Sequence, residues 1–388
     1  MKLRCFLAIL LVLNSGCKDK RVNSSIDNAT WKSLGLAGKR ITQIKTSPNY
    51  IYACTEFDGI YRHSKYADDQ LWEYIGLNVN SLINGTDTVK GMIVHHTQGV
   101  SDVIINPNNE NELIASILVF KPGIPGIYKT INGGRSWSEA DSGFGFETPW
   151  WWPGHIVDTG RVCGARVLFN PADQFSNIFA GHLDAGIAYR SSNSGDSWIP
   201  VINYPVNVFS SVCSFGQDPA NPNTIFAGGQ SSNGIASTLI PAWLWKSTDG
   251  GKQWKMVIPP PVYLNENGVF SICVTNSPHV IYLGMRGFIY GSLDDGLSWQ
   301  TMVLADHPEE VFIIVANPFD CRHIVGATGS MLVETKDAGR TWIKLKIPDE
   351  FKGIIDRLYW DKQTGNLYVA AGDSEGVFVL TYDQLKNL

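Results

Sequence analysis

Three carboxylates are the strongest candidates for acid–base chemistry in this sequence. Glu56 and Asp58 stand two positions apart in the segment Thr55 to Arg62, and Asp158 follows in a later loop. Hydrolysis of a glycosidic bond requires two carboxyl groups, one with a raised pKa as proton donor and one ionised as base or nucleophile. We therefore take Glu56 or Asp58, together with Asp158, as the candidate catalytic pair.

An aromatic cluster stands a few residues before Asp158. The segment Pro149 to His155 contains Trp150, Trp151 and Trp152 in succession, and three neighbouring indoles are not easily buried together in one loop. Exposed aromatic faces stack on the apolar C–H surfaces of sugar rings, so this segment predicts a carbohydrate subsite. The structural alternative has one Trp packed beneath the loop and the others covering neighbouring strands.

Imidazole, phenol and guanidinium groups allow two further interpretations. A polysaccharide lyase uses His or Tyr as base and acid, and Arg to neutralise a uronate carboxylate so that its α-proton becomes removable. A binding or assembly protein needs aromatic rings and loops but no acid–base pair. The candidates for the lyase roles are His95, His96, His155, Arg161 and Tyr204. The same residues and Arg286 are candidate substrate-binding groups, and the three interpretations remain open at this point.

The element that must position these loops is a repeat. The eight-residue pattern Ser/Thr-x-Asp/Asn-x-Gly-x-Ser/Thr/Gln-Trp, called the box below, occurs five times. Its Asp or Asn oxygen can accept hydrogen bonds from the backbone of its own turn, its Gly supplies a positive φ, and its Trp packs the turn against a sheet. We therefore expect a structural role for the five Asp and Asn residues, Asn132, Asn193, Asp249, Asp294 and Asp337.

The spacing of the boxes indicates propeller blades. Alternating β-branched and aromatic runs, bounded by Pro, Asn and Gly, precede each box and predict strands. Two further units without an intact box begin at Ile41 and Gly353, and the second lacks its outer strand. Residues Asn28 to Leu34, with Trp31 in the place of the box Trp, can supply it. The sequence thus predicts an all-β fold over residues 28–388, a seven-bladed β-propeller of four-stranded blades closed by an N-terminal strand that completes the last blade.

The same arrangement assigns the loops to two faces. If the strands of a blade are lettered A to D outward from the channel, the boxes close the C–D hairpins on one face, called the box face. The B–C and D–A loops share the opposite face, called the loop face. The long insertions at residues 76–98, 138–160 and 230–242 all fall on the loop face. Function is therefore expected there, because long loops on a rigid scaffold are where binding residues concentrate.

The N-terminus has the layout of an export signal. Basic residues precede the apolar run Phe6 to Leu13, which is too short to span a bilayer, and Cys17 follows a Gly. This layout predicts a signal peptide over residues 1–16, lipidation of Cys17, and a lipoprotein tether over residues 17–27. The expected location is the bacterial cell envelope, at the outer membrane or cell surface; secretion after cleavage nearby is the alternative.

Composition limits the partners. A formal net charge of −5 and a pI near 5.9 provide no basic stripe, so nucleic acid is not an expected partner. The cysteines after Cys17 have no CxxC spacing, which indicates buried free thiols rather than a zinc site or disulfide framework. Cys213 and Cys273 are the one pair worth testing for a bond. We predict a monomer with no metal or cofactor, a poly- or oligosaccharide partner, and membrane contact only through the lipid at Cys17.

The boxes resemble those of Asp-box (BNR) proteins, which include sialidases, sortilin, photosystem II assembly factors and xyloglucan-active hydrolases. The arginine triad and Arg-Ile-Pro motif of sialidases are not evident. Two segments resemble motifs of the xyloglucanase group: Thr55 to Arg62 is similar to Thr-Asp-x-Gly-Gly-x-Tyr-Arg, and Gly160 to Arg166 is similar to Gly-Arg-x-x-Gly-x-Arg. The resemblance implies that Glu56 stands at the position of the catalytic base. That family pairs two tandem propellers, each with one catalytic carboxylate.

Taken together, the sequence predicts an exported carbohydrate-active protein. The favoured activity is that of a glycoside hydrolase acting on a plant- or algal-type polysaccharide or its oligosaccharides. The alternatives are a noncatalytic glycan- or protein-binding propeller lipoprotein with an assembly or scaffold role, and a polysaccharide lyase that uses His, Tyr and Arg.

Overall fold

The chain folds as a seven-bladed β-propeller, as predicted from the repeat. The computed structural model describes residues 31–78, 87–89, 92–94, 97–119, 126–144, 146–147, 161–162, 165–171, 175–182, 186–203, 209–232, 242–257, 259–260, 268–347, 349–351, 355–372 and 374–387. Within these residues the strands form seven four-stranded antiparallel sheets. The first strand of each sheet packs beside the first strand of the next, and the last sheet packs beside the first, so the ring is closed.

The first four strands after the N-terminal strand form blade 1, and each later blade follows in chain order. The strands up to blade 3 are β1 (Lys32–Gly35), β2 (Ile41–Thr46), β3 (Tyr50–Thr55), β4 (Ile60–Ser64), β5 (Glu73–Gly76), β6 (Asp87–Val89), β7 (Met92–Val94), β8 (Thr97–Asn106), β9 (Asn109–Val119), β10 (Ile127–Thr130), β11 (Ser138–Glu139), β12 (Phe146–Glu147), β13 (Arg161–Val162), β14 (Ala165–Phe169), β15 (Ile178–His182), β16 (Ile187–Ser191) and β17 (Ile199–Asn203). Strands β6 with β7 and β12 with β13 form separate two-stranded ribbons between blades.

The second half of the ring contains blades 4 to 7. Its strands are β18 (Phe209–Gln217), β19 (Ile225–Ser232), β20 (Trp243–Ser247), β21 (Lys255–Val257), β22 (Ser271–Asn276), β23 (His279–Met285), β24 (Phe288–Ser292), β25 (Gln300–Leu304), β26 (Ile313–Ala316), β27 (Ile324–Ala327), β28 (Leu332–Thr335), β29 (Ile343–Leu345), β30 (Ile355–Trp360), β31 (Leu367–Ala371) and β32 (Gly376–Leu380). A 3₁₀ turn (Asp349–Phe351) precedes blade 7, and helix α1 (Tyr382–Asn387) follows it.

The N-terminal strand closes the ring, as expected. Strand β1 pairs antiparallel with β32, with Lys32 opposite Val379, and becomes the outer strand of blade 7. The indole of Trp72, in blade 1, donates to the carbonyl of Leu34 at 2.8 Å, just as the box residue Trp137 donates to Ile75 of the blade before it. The seam between blades 7 and 1 is thus built like the other junctions. Blade 7 itself combines strands from opposite ends of the chain, β1 and β30 to β32.

The box turns have the expected geometry and one contact that the sequence reasoning missed. In the blade 5 box, the N–H of Ser298 donates to Oδ1 of Asp294 at 2.8 Å, and Gly296 has a φ of 91°. The missed contact is that of the first hydroxyl: Ser292 donates to Asp294 and accepts the N–H of Gly296, both at 2.8 Å. The hydroxyl therefore satisfies two groups of the turn, which explains why the pattern starts with Ser or Thr.

The box carboxylates carry lowered pKa values because they accept hydrogen bonds. The side-chain and backbone donors of Ser298 lower the pKa of Asp294 to about 2. Burial alone would raise the pKa of Asp337, but the hydroxyl and N–H of Thr341, at 2.6 and 2.8 Å, outweigh it and lower the pKa. A carboxylate with this many donors is stabilised in its ionised form and is poorly suited to proton donation.

We expect Asp337→Ala to lower the free energy of unfolding by about 1 kcal/mol at pH 7, since the lost hydrogen bonds lie near the surface. Because the pKa of Asp337 is lowered in the folded state, its contribution is complete above the unfolded pKa of about 3.9 and is lost as pH falls below that value. Urea unfolding at pH 7, 5 and 3 checks this: the difference from wild type should persist at pH 5 and shrink at pH 3. Asp337→Asn is the matched control, because two boxes already have Asn; a larger loss for Asn than for Ala would contradict the assignment.

The cysteines agree with the expectation of free thiols for the part of the chain that the structure describes. Cys54, Cys213, Cys273 and Cys321 are all free, so no bond joins Cys213 to Cys273. The two thiols point in different directions. Cys273 packs into the cluster between blades 5 and 6, whereas the Cys213 thiol, in blade 4, donates to the carbonyl of Ser211. Cys321 is partly exposed rather than buried, and Cys163 lies outside the described residues.

Candidate functional site

The B–C turn of blade 1, on the loop face, presents Glu56 and Asp58. Thr55 fixes this turn, because its N–H and hydroxyl both donate to the carbonyl of Gly59, at 2.9 and 2.7 Å, and its hydroxyl accepts the N–H of Asp58. Gly59 has a φ of 95°, which explains why the motif requires Gly there. The two carboxylates therefore project from a turn with a defined backbone rather than from an unsupported loop.

Blade 2 packs directly against the same turn. A Cβ atom on Gly99, in β8, would lie 1.9 Å from the carbonyl oxygen of Glu56, and Gly99 has a φ of 86°. Only Gly can occupy this position without moving the turn. The backbone of Glu56 is thus held from two sides, since its N–H also donates to the carbonyl of Arg40 at 3.0 Å.

Each carboxylate of the turn is paired with a cation from the link between β1 and β2. Nη1 of Arg40 lies 2.9 Å from Oε2 of Glu56, and Nζ of Lys39 lies 3.0 Å from Oδ2 of Asp58. The hydrogen bond with Asp58 is the main reason that the pKa of Lys39 is raised. The side chain of Glu56 is the more buried of the two carboxylates, while that of Asp58 is half-buried. This arrangement can hold one carboxylate in a fixed direction while the other contacts solvent.

Aromatic surface lies beside the Asp58 pair, although the sequence reasoning did not single it out. Tyr61 and Tyr74 are in tilted contact, with centroids 5.4 Å apart, and the ammonium of Lys39 lies 5.8 Å from the Tyr61 ring. Tyr74 and Phe57 are both exposed. The sequence contained one signal for this aromatic surface, Tyr61 of the motif. The repeat pattern by itself explains Tyr61 as a strand residue, so the signal was not recognised. An exposed ring next to a carboxylate is a surface on which a sugar can stack.

Arg286 belongs to a different part of the ring. It lies at the B–C turn of blade 5, where its Nη1 donates to the carbonyl of Glu309 at 2.9 Å and its backbone forms a bridge with Val311. These contacts tie blade 5 to the connection that enters blade 6. Arg286 is therefore on the predicted face, but several blades separate it from Glu56.

His182, at the end of an inner strand of blade 3, is a core residue. Its side chain is buried and stacks on Phe144, with centroids 5.7 Å apart. Strand β15 ends at His182, and the contact with Phe144 holds this side chain in the core rather than on the loop face.

The remaining predicted site residues lie outside the described residues. They are His95, His96, Trp150, Trp151, Trp152, His155, Asp158 and Tyr204. The backbone of Arg161 is described, in β13, and it pairs with Glu147 of β12. The Trp segment is therefore bracketed by two paired strands. The pairing of Glu56 or Asp58 with Asp158 stays a prediction.

Two features are absent from the described part of the chain. No group of three or more His, Cys, Asp and Glu side chains there is arranged to hold a metal ion. No helix there is long and apolar enough to cross a membrane.

By comparison with known proteins, this seven-bladed β-propeller has relatives among xyloglucanases. No protein-family model matches it. It is 23% identical over 266 residues to the xyloglucanase Xgh74A of Acetivibrio thermocellus, an alignment that covers 59% of this chain. The chain spans 31% of the length of that relative.

Solved structures share the fold. An ancestral GH74 enzyme matches 93% of this chain with a TM-score of 0.65 and 15% identity, and the match covers 47% of that enzyme. The propeller YCF48, solved bound to D1 peptide, matches 92% of this chain with a TM-score of 0.57 and 13% identity, and the match covers 98% of YCF48. At these identities the likeness shows the fold alone.

Proposed function

We propose that this protein is a glycoside hydrolase that acts on a plant- or algal-type polysaccharide or its oligosaccharides, with xyloglucan as the first substrate to test. The observation that carries the proposal is the Glu56 turn. It lies on the loop face, its backbone is fixed by Thr55 and Gly99, and its carboxylate is held by Arg40. The similarity to Xgh74A supports the same substrate class.

In this proposal Glu56 is the base or nucleophile and Arg40 keeps its carboxylate in one orientation. Asp158 is the proton donor, and the segment containing Trp150, Trp151 and Trp152 forms the sugar platform. The separation of the two carboxyl groups would decide the stereochemistry, at about 5 to 5.5 Å for retention and about 6.5 to 9.5 Å for inversion. Asp58, with Lys39 and the Tyr74 ring, would bind sugar hydroxyls beside the reacting bond.

A second candidate is a propeller that binds without catalysis. Both carboxylates of the blade 1 turn are already neutralised by cations, which suits hydrogen bonding to a ligand as well as it suits catalysis. YCF48, which matches over almost its whole length, was solved bound to a peptide. A single propeller presenting a loop face is sufficient for such a role.

One assay separates the two candidates and the lyase alternative. The propeller, residues 26–388, is incubated with xyloglucan, mixed-linkage β-glucan and a polyuronate, and its binding to each is measured on immobilised glycan. New reducing ends without absorbance near 235 nm support the hydrolase, while new absorbance there reports a lyase. Glycan or peptide binding with no new reducing ends would overturn the proposed hydrolase and favour the binding protein.

The proposed setting is the cell envelope, reached through the signal peptide at residues 1–16 and lipidation of Cys17. Labelling of the expressed full chain with radioactive palmitate, with Cys17→Ser as the control, tests this proposal. Incorporation that is equal in both proteins would contradict it.

A further inference from the structure

A groove of about 430 Å³ lies on the box face between blades 1 and 2. The A–B turns of these two blades form its walls, and the C strand of blade 1 contributes Arg62. Its volume is within the range of about 300 to 1,000 Å³ that is usual for small-molecule sites. Asparagines are the commonest residues of its lining, which includes Asn49, Asn108, Asn109 and Asn111. We call it the amide groove.

The A–B turn of blade 2 uses two of its four asparagines to hold its own backbone. Asn106 accepts the N–H of Asn108 at 3.0 Å, and Asn109 accepts the N–H of Asn111 at 3.2 Å. The amides of Asn106 and Asn109 also donate to Glu112. The side chains of Asn108 and Asn111 make no hydrogen bond within the part of the chain that the structure describes. Both amides can therefore donate to and accept from a ligand.

Asn111 and Arg62 meet beside Gly133, in the box of blade 2. A Cβ atom on Gly133 would lie 3.0 Å from Oδ1 of Asn111 and 3.4 Å from Nη1 of Arg62. Because Gly133 has no side chain, the space beside both atoms stays open. The guanidinium is held in place, since its Nε donates to Glu73 at 2.7 Å and its Cζ lies 4.6 Å from the centre of the Tyr50 ring. An amide and a fixed guanidinium thus present hydrogen-bonding atoms to one space.

The charges around the amide groove favour a neutral ligand. The carboxylate of Glu110 accepts the N–H and the amide of Asn49, each at 2.8 Å, and the hydroxyl of Ser47. Burial alone would raise the pKa of Glu110, but these donors outweigh it and lower the pKa. Three of its four lone-pair sites are thus in use, so it offers little to a cation. An anion is not attracted either, because the carboxylates outnumber the cations: Glu73, Glu110, Glu112 and Asp361 stand against Arg62 and Lys65.

We propose that the amide groove binds a short stretch of a neutral polysaccharide, as a second glycan site on the face opposite Glu56. Neighbouring sugar hydroxyls both donate and accept, which matches the oxygen and NH₂ group of an asparagine amide. A peptide would need pockets for its alternate side chains, and the ring of Tyr50 is already covered on one face by Arg62. The choice of a glycan rests on the proposed function. The site performs no chemistry and retains the protein on its substrate.

Electrophoresis in gels that contain xyloglucan, mixed-linkage β-glucan, galactomannan or a polyuronate tests the proposal, with Glu56→Gln as the parent protein to prevent cleavage. Asn111→Ala should weaken binding of the best neutral polysaccharide about three- to tenfold, because hydrogen bonds to the ligand are lost. Asn223→Ala is the matched control and should leave binding unchanged. The carbonyl of Asn223 accepts the N–H of Gly250 in the blade 4 box at 2.9 Å, as that of Asn111 accepts Gly133 at 2.9 Å. Equal losses in both variants, tighter binding of the polyuronate, or no binding of a neutral polysaccharide would overturn the proposal.

A second pair of variants fills the groove instead of removing its amides. Gly133 and Gly250 occupy the same box position with φ of 71° and 73°, and Ala338 has a φ of 58° there, so alanine is tolerated. Gly133→Ala places a Cβ 3.0 Å from Oδ1 of Asn111, whereas Gly250→Ala places one 3.5 Å from Oδ1 of Asn223. We expect weaker glycan binding in Gly133→Ala alone. Unchanged binding in Gly133→Ala would show that the glycan does not occupy the amide groove.

Hydrogen exchange of the backbone amides, followed by mass spectrometry, gives the location directly. The bound glycan should slow exchange in residues 47–50 and 106–112, and protection confined to loop-face segments would overturn the proposal. The outcome is separate from that of the proposed function. A protein that releases no reducing ends but binds glycan through this groove would refute the hydrolase and support the second site. A hydrolase with equal binding in Asn111→Ala and Asn223→Ala would do the reverse.

Discussion

Replacing Glu56 with Gln is expected to lower kcat/KM for polysaccharide hydrolysis by about 10²- to 10⁴-fold, the usual contribution of a positioned acid–base group. The change is nearly isosteric and keeps an oxygen that can accept from Arg40, 2.9 Å away in the wild type. It removes the charge that a base or nucleophile requires. Thermal unfolding should change little, so the loss would be chemical rather than structural. The measurement is initial-rate hydrolysis with the substrate identified in the assay of reducing ends.

Two further variants sharpen this test. Arg40→Met keeps the carboxylate and removes its partner, so we expect a smaller loss of kcat and a shifted pH profile, which mark a positioning residue. Asp68→Asn changes a fully exposed carboxylate in the C–D turn of blade 1, on the box face, and should leave activity unchanged. Full activity in Glu56→Gln would remove Glu56 from the mechanism and leave Asp58 as the candidate on this turn.

The fold was predictable because its signals are local. Each box combines a hydroxyl, a carboxylate or amide, a Gly and a Trp within eight residues, and each group is used within its own turn or against the adjacent blade. The closing strand was predictable for the same reason, since Trp31 repeats the box Trp. It packs edge-on against Phe351, with centroids 5.5 Å apart. Such signals need no knowledge of long-range pairing.

The site was only partly predictable, because its contacts join residues that no local pattern connects. Glu56 and Asp58 were found from the motif, but their partners Arg40 and Lys39 come from the link after the closing strand. The same limit applies to Lys45, whose pairing with Asp102 depends on how blades 1 and 2 meet in the channel. A sequence pattern shows which residues lie on a face, whereas the angle between blades decides which of them meet.

The seam between blades 7 and 1 depends on long-range contacts most of all. The link from β1 to β2 joins blade 7 to blade 1 as at the other junctions, but the two ends of the chain meet inside blade 7, where β32 and β1 pair without a covalent connection. Arg357 Nε donates to the carbonyl of Thr42, and Gly38 donates to the carbonyl of Ser374 at 2.6 Å. Among these contacts the ion pair of Lys65 and Asp361 is the most deeply buried, with side chains 2% and 1% exposed and 2.7 Å between Nζ and Oδ2.

Breaking that ion pair with Asp361→Asn is expected to lower the free energy of unfolding by about 3 to 5 kcal/mol, because it leaves the ammonium of Lys65 buried and uncompensated. The hydroxyl of Thr46 loses a charged acceptor as well. Burial would raise the pKa of Asp361, but the hydrogen bonds from Lys65 and Thr364 outweigh it and lower the pKa. The stabilisation by the pair is therefore complete above about pH 3.9 and is lost as pH falls below it.

Urea unfolding of the wild type, the two single variants and the double variant isolates the contribution of this ion pair to the free energy of unfolding. Lys65→Met combined with Asp361→Asn should cost less than the sum of the two single changes, since the double variant buries no unpaired charge. The control, Asp68→Asn, breaks the ion pair with Lys32 across the same seam, but there the side chains are 105% and 56% exposed. It should leave the free energy of unfolding nearly unchanged, because an exposed ion pair is screened by solvent. If the buried and exposed pairs cost the same, the seam would not depend on Asp361, and closure would instead rest on the pairing of β1 with β32.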